Sequence, residues 1–326
     1  MRSQVPKNKP SVRTAKLQNE ETLHVKSELR EGGKNRVEQF RKIAHELLGE
    51  KAFTSAKGTS FLDLGRAELK FLAEHPGKTE AAIKKLQAEG QLPKNNEHFR
   101  TGEMVKLIRH AARDALRRSG TFTVATINDD FTDRKTSLNR VNREVNPDVM
   151  LLQEAKNSNI AKDAGKGLGA YQNNATEGHA GSAIVWDENE AKAGARGTRL
   201  GVDPPKGVGM LNRYITYTDV KIEGRSVRMI SAHRPPKRFA EQWPAFDRAL
   251  AAFVKSTKGP VIVGMDANER TPEGLERATG LKWHSPGPKS IDGFLVSPGI
   301  EVSNIRRLAK GVSDHHPVVA DFRFKK

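Results

Sequence analysis

The chain has no cysteine, and only three tryptophans and three tyrosines among its 326 residues. The first absence excludes disulfides, disulfide-linked partners and thiolate metal centres. Any metal must therefore be held by oxygen and nitrogen, which suits hard divalent ions such as Mg²⁺ or Mn²⁺. Long apolar runs are missing as well: none approaches the roughly 18 residues that span a bilayer. Residues 1–17 are basic and acid-free, without the apolar core of a secretory signal. The simplest expectation is a soluble, cytoplasmic chain with no membrane partner. Zinc-finger spacing, a dinucleotide fingerprint, a P-loop and internal repeats are also absent.

Acids are in deficit. Against 56 Lys and Arg stand 39 Asp and Glu, a formal net charge of +17 and a sequence pI near 10.0. Such a field attracts polyanions and makes nucleic acid the expected partner. Mean hydropathy is −0.65 and apolar residues make up 36%, so part of the chain is expected to be solvated.

The composition changes near Ser119-Gly120. Residues 1–35 carry Pro, Lys, Asn, Gln and Glu without a sustained apolar period and read as a disordered basic arm. Residues 36–118 read as a helical extension, with Phe40, Ile43, Leu47 and Leu48 marking one amphipathic helix. Others are expected around 61–74, 79–88 and 103–117, with Thr79 capping its helix, Gly90 ending it and Pro93 just beyond. Lys84, Lys85, Arg109, Arg113, Arg117 and Arg118 would let this extension hold nucleic-acid phosphates; a solvated extension is the alternative. From 119 to 326 apolar, often β-branched runs alternate with Gly, Pro, Asn and Asp turns. Strands are expected at 121–127, 147–152, 183–186, 214–222, 226–232, 260–263, 293–296 and 318–323. Helices are expected over 137–144 and 239–255, the alternation of an α/β or α+β sheet system.

Metal-liking and proton-carrying residues fall at the ends of these runs. In order they are Thr126-Ile127-Asn128, Leu151-Leu152-Gln153-Glu154, Ser231-Ala232-His233, Asp266-Ala267-Asn268, Ser290-Ile291-Asp292, and Ser313-Asp314-His315-His316-Pro317-Val318. A sheet could gather them at one rim.

Six such clusters in this order resemble the endonuclease/exonuclease/phosphatase superfamily, over about Thr121 to Phe324. The resemblance implies a four-layered α/β sandwich, two packed β-sheets flanked by helices, here preceded by the basic helical extension. It also implies metal-dependent hydrolysis of a phosphate ester at one end of the sheets. On the family pattern Asn128 and Glu154 hold Mg²⁺ (or Mn²⁺), and Asp314 joins that site or a second one. Asp266 orients or deprotonates the attacking water, and Asn268 offers its amide to the phosphate. His315, oriented by Asp292, contacts the phosphate or serves as acid/base. His233 hydrogen-bonds the phosphate or protonates the leaving group, and His316 reads as structural. Arg213 and Tyr214 open a strand from which they could reach substrate phosphate, and Arg234, Lys237 and Arg238 follow His233 in a Pro-stiffened loop that could grip a backbone. The family's compact Gly-Asp-x-Asn is interrupted by Met265, which predicts a shifted turn before Asp266.

The expected activity is that of a Mg²⁺-dependent nuclease, with endonuclease favoured, acting on DNA or RNA. Two other readings stay open: a same-fold enzyme for a small phosphate ester, and a catalytically idle nucleic-acid-binding protein.

Overall fold

A computed structural model of the chain describes residues 33–48, 71–73, 75–95, 99–118 and 120–325. The last range has gaps at 130–137, 139, 143, 156–159, 161–166, 174–178, 189, 205–208, 223 and 312. The chain divides into two compact units, Met1–Leu116 and Arg117–Lys326. Among the described residues no helix is long and apolar enough to cross a membrane.

In the first unit α1 (Gly33–Leu48), α2 (Pro76–Ala88) and α3 (Thr101–Arg118) enclose Ile43, Leu72, Ile83, Leu86 and Ile108. The expected arm lies almost wholly outside the described residues, and of the helix expected at 61–74 only 71–73 are described, as helix. Thr79 does not cap α2. The helix starts at Pro76, whose fixed φ and missing N–H suit a first turn, and the Thr79 hydroxyl instead donates to the His75 carbonyl at 3.2 Å. Gly90, at φ 71°, follows the helix as expected. Lys84 and Lys85 are exposed and each faces an acid at 2.7 Å, Glu80 and Glu46. The side chains of Arg113, Arg117 and Arg118 lie outside the described set.

The second unit runs β1 (Thr121–Asn128), β2 (Val149–Gln153), β3 (Leu168–Gln172), β4 (His179–Ala180), β5 (Ser182–Asp187), β6 (Lys192–Val202), β7 (Asn212–Ile222) and β8 (Arg225–His233). A 3₁₀ turn (Lys237–Gln242), α4 (Trp243–Lys255), β9 (Val261–Asp266), α5 (Glu273–Thr279), β10 (Lys282–His284), β11 (Asp292–Val296), β12 (Ile300–Arg307) and β13 (Val318–Phe324) complete it. One sheet is ordered β12-β13-β1-β2-β5-β3; the other is β10-β11-β9-β8-β7-β4, with β6 also paired to β7.

Strand alternation explains the layers. Phe122 and Val124 of β1 join Val227 and Met229 of β8 in the core between the sheets. The intervening residues face outward: Ala125 and Ile127 pack with Leu138, Val141 and Ile160, while Ile230 and Ala232 meet Phe246, Leu250 and Leu275 of α4 and α5. Helix, sheet, sheet, helix is the resulting order, the four-layered sandwich. β2 (Val-Met-Leu-Leu-Gln) is buried at every position because both of its faces are covered.

Two sequence expectations need correction here. The helix expected from Phe239 begins at Trp243: Pro244 favours a helical first turn, whereas Phe239 has φ −120° and ψ 35°. The shifted turn expected before Asp266 is absent, because Gly264 lies inside β9. A Cβ at Gly264 would come 2.6 Å from Leu151 Cδ1 and 2.9 Å from Thr126 Cβ, so glycine allows the two sheets to approach. Gly264→Ala is therefore expected to destabilise the unit by about 1–3 kcal/mol, read as a lower urea midpoint at unchanged m-value.

Candidate active site

Strand pairing places the catalytic candidates in one row. Asp266, last in β9, pairs with His233 on parallel β8 and with Asp292 on antiparallel β11. In the facing sheet Asn128 ends β1 and Glu154 follows β2, its parallel neighbour. The Ser313 hydroxyl donates to the Asn128 carbonyl at 2.7 Å and accepts from the His315 N–H at 3.0 Å. This tether brings Asp314 and His315 to the same rim.

Asp266 is the hub. Its Oδ2 accepts from Asn128 Nδ2 at 3.1 Å and lies 3.4 Å from His233 Nε2 and 3.8 Å from His315 Nε2. Its Oδ1 accepts the Asn268 N–H at 2.8 Å. Burial opposes ionisation, but these contacts outweigh it and hold the Asp266 pKa below the ordinary carboxylate value.

The two histidines are driven apart electrically. Arg213 is buried, and its Nη1 lies 3.2 Å from His233 Nδ1. A guanidinium only donates, so Nδ1 is the acceptor and the proton resides on Nε2, facing Asp266. Burial, followed by the Arg213 charge, pushes the His233 pKa down to about 4, against the pull of Asp266. For His315 burial works against the charge, yet the 2.8 Å bond from Nδ1 to Asp292 Oδ2 and the charges of Asp292, Asp266 and Asp314 raise its pKa to about 9. At neutral pH the site thus holds one neutral and one cationic imidazole.

Two groups of residues could hold a metal. Ligand atoms of Asp266, Asp292 and His315 lie within 4.8 Å of one another. Within this trio His315 Nδ1 and Asp292 Oδ2 are hydrogen-bonded to each other at 2.8 Å. Asn128, Glu154 and Asp314 offer an amide oxygen and two carboxylates, hard donors that fit Mg²⁺ or Mn²⁺. Glu154 Oε1 stands 3.9 Å from Arg213 Nη1 and 3.5 Å from His233 Nδ1. Asp314 points outward, its side chain 69% exposed and Oδ1 3.6 Å from His315 Nε2. Glu154 (φ 50°) and Asn268 (φ 51°) both occupy the left-handed backbone region, a strain that accumulates at working sites.

The expected substrate-binding residues separate. Lys237 and Arg238 are exposed on the 3₁₀ turn, Tyr214 is half-buried across from Leu200 on β6, and Arg213 is an interior residue. Arg234, expected to grip a backbone, is only 3% exposed. Asp247 takes its Nε and Nη2 at 2.9 and 2.5 Å, Glu269 takes Nη1 at 2.6 Å, and the Trp243 ring stacks 4.1 Å from Cζ. Three of its five N–H donors are thus engaged by carboxylates in the interior. Arg234→Ala should strand Asp247 and cost about 3–5 kcal/mol, seen as a lowered Tm. The Arg234 carbonyl meanwhile accepts from Asn268 Nδ2 at 2.9 Å, so one of the two amide hydrogens expected for phosphate is already engaged.

Gln153 and Ser231 stand in the quoted clusters but drew no role from the sequence; Gln153 is fully buried between the sheets. Its Nε2 donates to Ser231 Oγ at 3.0 Å and to the Gly264 carbonyl at 3.2 Å, and the Ser231 hydroxyl reaches the Leu152 carbonyl at 2.6 Å. His316, read as structural, bonds the Leu308 carbonyl through Nδ1 at 2.9 Å.

A family model described as "Endonuclease/Exonuclease/phosphatase family" matches residues 118–315. Among solved structures, an endonuclease/exonuclease/phosphatase from Bacteroides vulgatus superposes with TM-score 0.50 at 15% identity, over 63% of this chain and 99% of that one. A humanized D. rerio TDP2 gives 0.49 at 15% (63% and 99%), and the human Nocturnin catalytic domain gives 0.49 at 17% (64% and 94%). A search of curated protein sequences returns no match.

Proposed function

Because the chain belongs to the endonuclease/exonuclease/phosphatase family, whose members hydrolyse phosphate esters, we propose that it is a divalent-metal-dependent nuclease that cuts DNA or RNA internally. The observation that carries this reading is the row His233, Asp266, Asp292, with His315 against it and Asn128 and Glu154 facing it from the other sheet. The net charge of +17 favours a polymeric phosphate substrate over a small one.

In this reading Asn128, Glu154 and Asp314 hold Mg²⁺ or Mn²⁺. When bound, such an ion offsets the charge that builds on the phosphate and makes water more acidic. Asp266, ionised and fixed by Asn128 and the Asn268 N–H, accepts the proton of the attacking water as its oxygen bonds to phosphorus and the ester P–O bond breaks, the departing oxygen taking its proton from solvent. Cationic His315, held by Asp292, donates to a phosphoryl oxygen whose charge grows in the transition state. His233, neutral with its proton on Nε2, serves as a hydrogen-bond donor rather than a general acid at neutral pH. The N-terminal helical unit adds non-specific affinity for the polymer.

The test is incubation of the full chain with circular single- and double-stranded DNA and with RNA, in Mg²⁺, Mn²⁺ or EDTA. Cutting of circles that EDTA stops is the expected result. Failure to cut any polymer, with turnover of an inositol phosphate or nucleotide by the same folded protein, would overturn it.

A further inference from the structure

Resting on the nucleic-acid reading above, we propose that Arg140, Arg307 and Lys310 form a cationic shelf beside His315. It would hold backbone phosphates on the flank of the site away from Lys237 and Arg238, so that the strand is gripped on both sides of the cut.

The shelf is attached to the catalytic loop. Arg307 closes β12 and pairs with Val318 at the start of β13. Just beyond it the Leu308 N–H donates to the Pro317 carbonyl at 2.9 Å, and the His316 ring donates to the Leu308 carbonyl at 2.9 Å. Residues 307–310 are thereby strapped to the segment that directly follows His315. Arg140, helical like residues 138, 141, 142 and 144, lies over Gly311: a Cβ there would sit 3.3 Å from both its Cζ and Nη2. Glycine at 311 lets the guanidinium settle onto the backbone three residues before Asp314. Three cations from two parts of the chain thus stand next to the segment that carries Asp314 and His315.

These cations differ from several arginines of the unit. Arg228, Arg234 and Arg323 each meet a carboxylate within 2.7 Å. Among the described residues Arg140, Arg307 and Lys310 have no ion-pair partner, and the Arg140 Nε is buried without a hydrogen bond. Arg307 and Lys310 are exposed. Unneutralised cations at a rim are what a phosphate backbone requires.

Their position relative to the reacting groups follows from the contacts already described. Arg213, His233, Asp266, His315 and Asp292 form a continuous chain across the site. Arg238 is among the charges that act on Arg213 at one end, and Arg307 is among those that act on Asp292 at the other. A phosphate placed over Asp266 and His315 lies between the two basic flanks. An edge strand such as β12 can also carry cations merely to discourage pairing with another sheet; removing them would then cause aggregation without changing how the protein holds nucleic acid.

The experiment uses the full chain, unsubstituted and as Arg307→Ala/Lys310→Ala, with Arg140→Gln as a separate variant and Arg307→Lys/Lys310→Arg as the charge-preserving control. Binding of a labelled single-stranded oligonucleotide, DNA and RNA in turn, is followed by anisotropy in EDTA across a salt series. Cleavage of that oligonucleotide and of a dinucleotide is followed in Mg²⁺. Removal of both cations is expected to weaken oligonucleotide binding about tenfold and to flatten the slope of log K against log salt by about 0.7 per lost phosphate contact. The oligonucleotide-to-dinucleotide ratio of kcat/KM should fall with it, and the charge-preserving control should restore both. Isotherms and salt slopes equal to those of the unsubstituted chain, with or without aggregation, would overturn the shelf. Cleavage of neither substrate by the unsubstituted chain would count against the nuclease reading instead; the isotherms need no turnover and still decide the shelf.

Discussion

Asp266→Asn is expected to lower kcat by about 10³- to 10⁴-fold, the scale of losing a positioned base. The neutral amide cannot take a proton from water, and it also dismantles the hub that Asn128, His233, His315 and the Asn268 N–H share. The substitution is nearly isosteric, so KM for an oligonucleotide should move far less than kcat, and circular dichroism should show an intact fold. A KM rise that accounts for the whole loss would mean that Asp266 serves binding alone.

Asp292→Asn should give the second large effect, one that depends on pH. His315 owes its raised pKa, about 9, chiefly to the bond and charge of Asp292 working against burial. A cationic His315 predicts a rate that is sustained at neutral pH and falls as pH rises through about 9. Without the carboxylate, burial prevails and the pKa drops to or below the ordinary value of about 6.5, so at about pH 8 the protonated fraction and the rate fall roughly 30-fold. Acidification towards pH 6 should recover much of that loss. A pH–rate profile of the same shape for both proteins, merely scaled, would remove His315 protonation from the mechanism.

The fold was legible in sequence wherever strands are buried. β2 and β9 are unbroken apolar runs ending in a polar residue, β5 is one after Ser182, and β8 buries Val227, Met229, Ile230 and Ala232 between polar positions; all four were expected, β9 with its end three residues short. β6 and β12 were not. Lys-Ala-Gly-Ala-Arg-Gly-Thr-Arg lies mostly exposed on an edge, with glycines where a Cβ at 197 would strike the Tyr217 ring, and β12 is polar and interrupted near Asn304. An edge strand has one partner and an open face, so no alternation is imposed on it. The family order of the clusters led to the site residues, but their register could not be read from any single strand. That His233, Asp266 and Asp292 stand side by side depends on how β8, β9 and β11 pair. Arg234 misled for a related reason. In the sequence it is one of three cations in a proline-rich loop; only tertiary packing brings Asp247, Glu269 and Trp243 around it.

The left-handed backbone at Glu154 has an evolutionary corollary. A non-glycine residue held there costs on the order of 1–2 kcal/mol, a cost that glycine would relieve along with the carboxylate. A library of this chain sorted for heat resistance alone would therefore accumulate glycine at 154, and its sturdiest survivors would be inert. If Glu154 holds the metal as proposed, the backbone at the end of β2 sets stability against turnover at one residue.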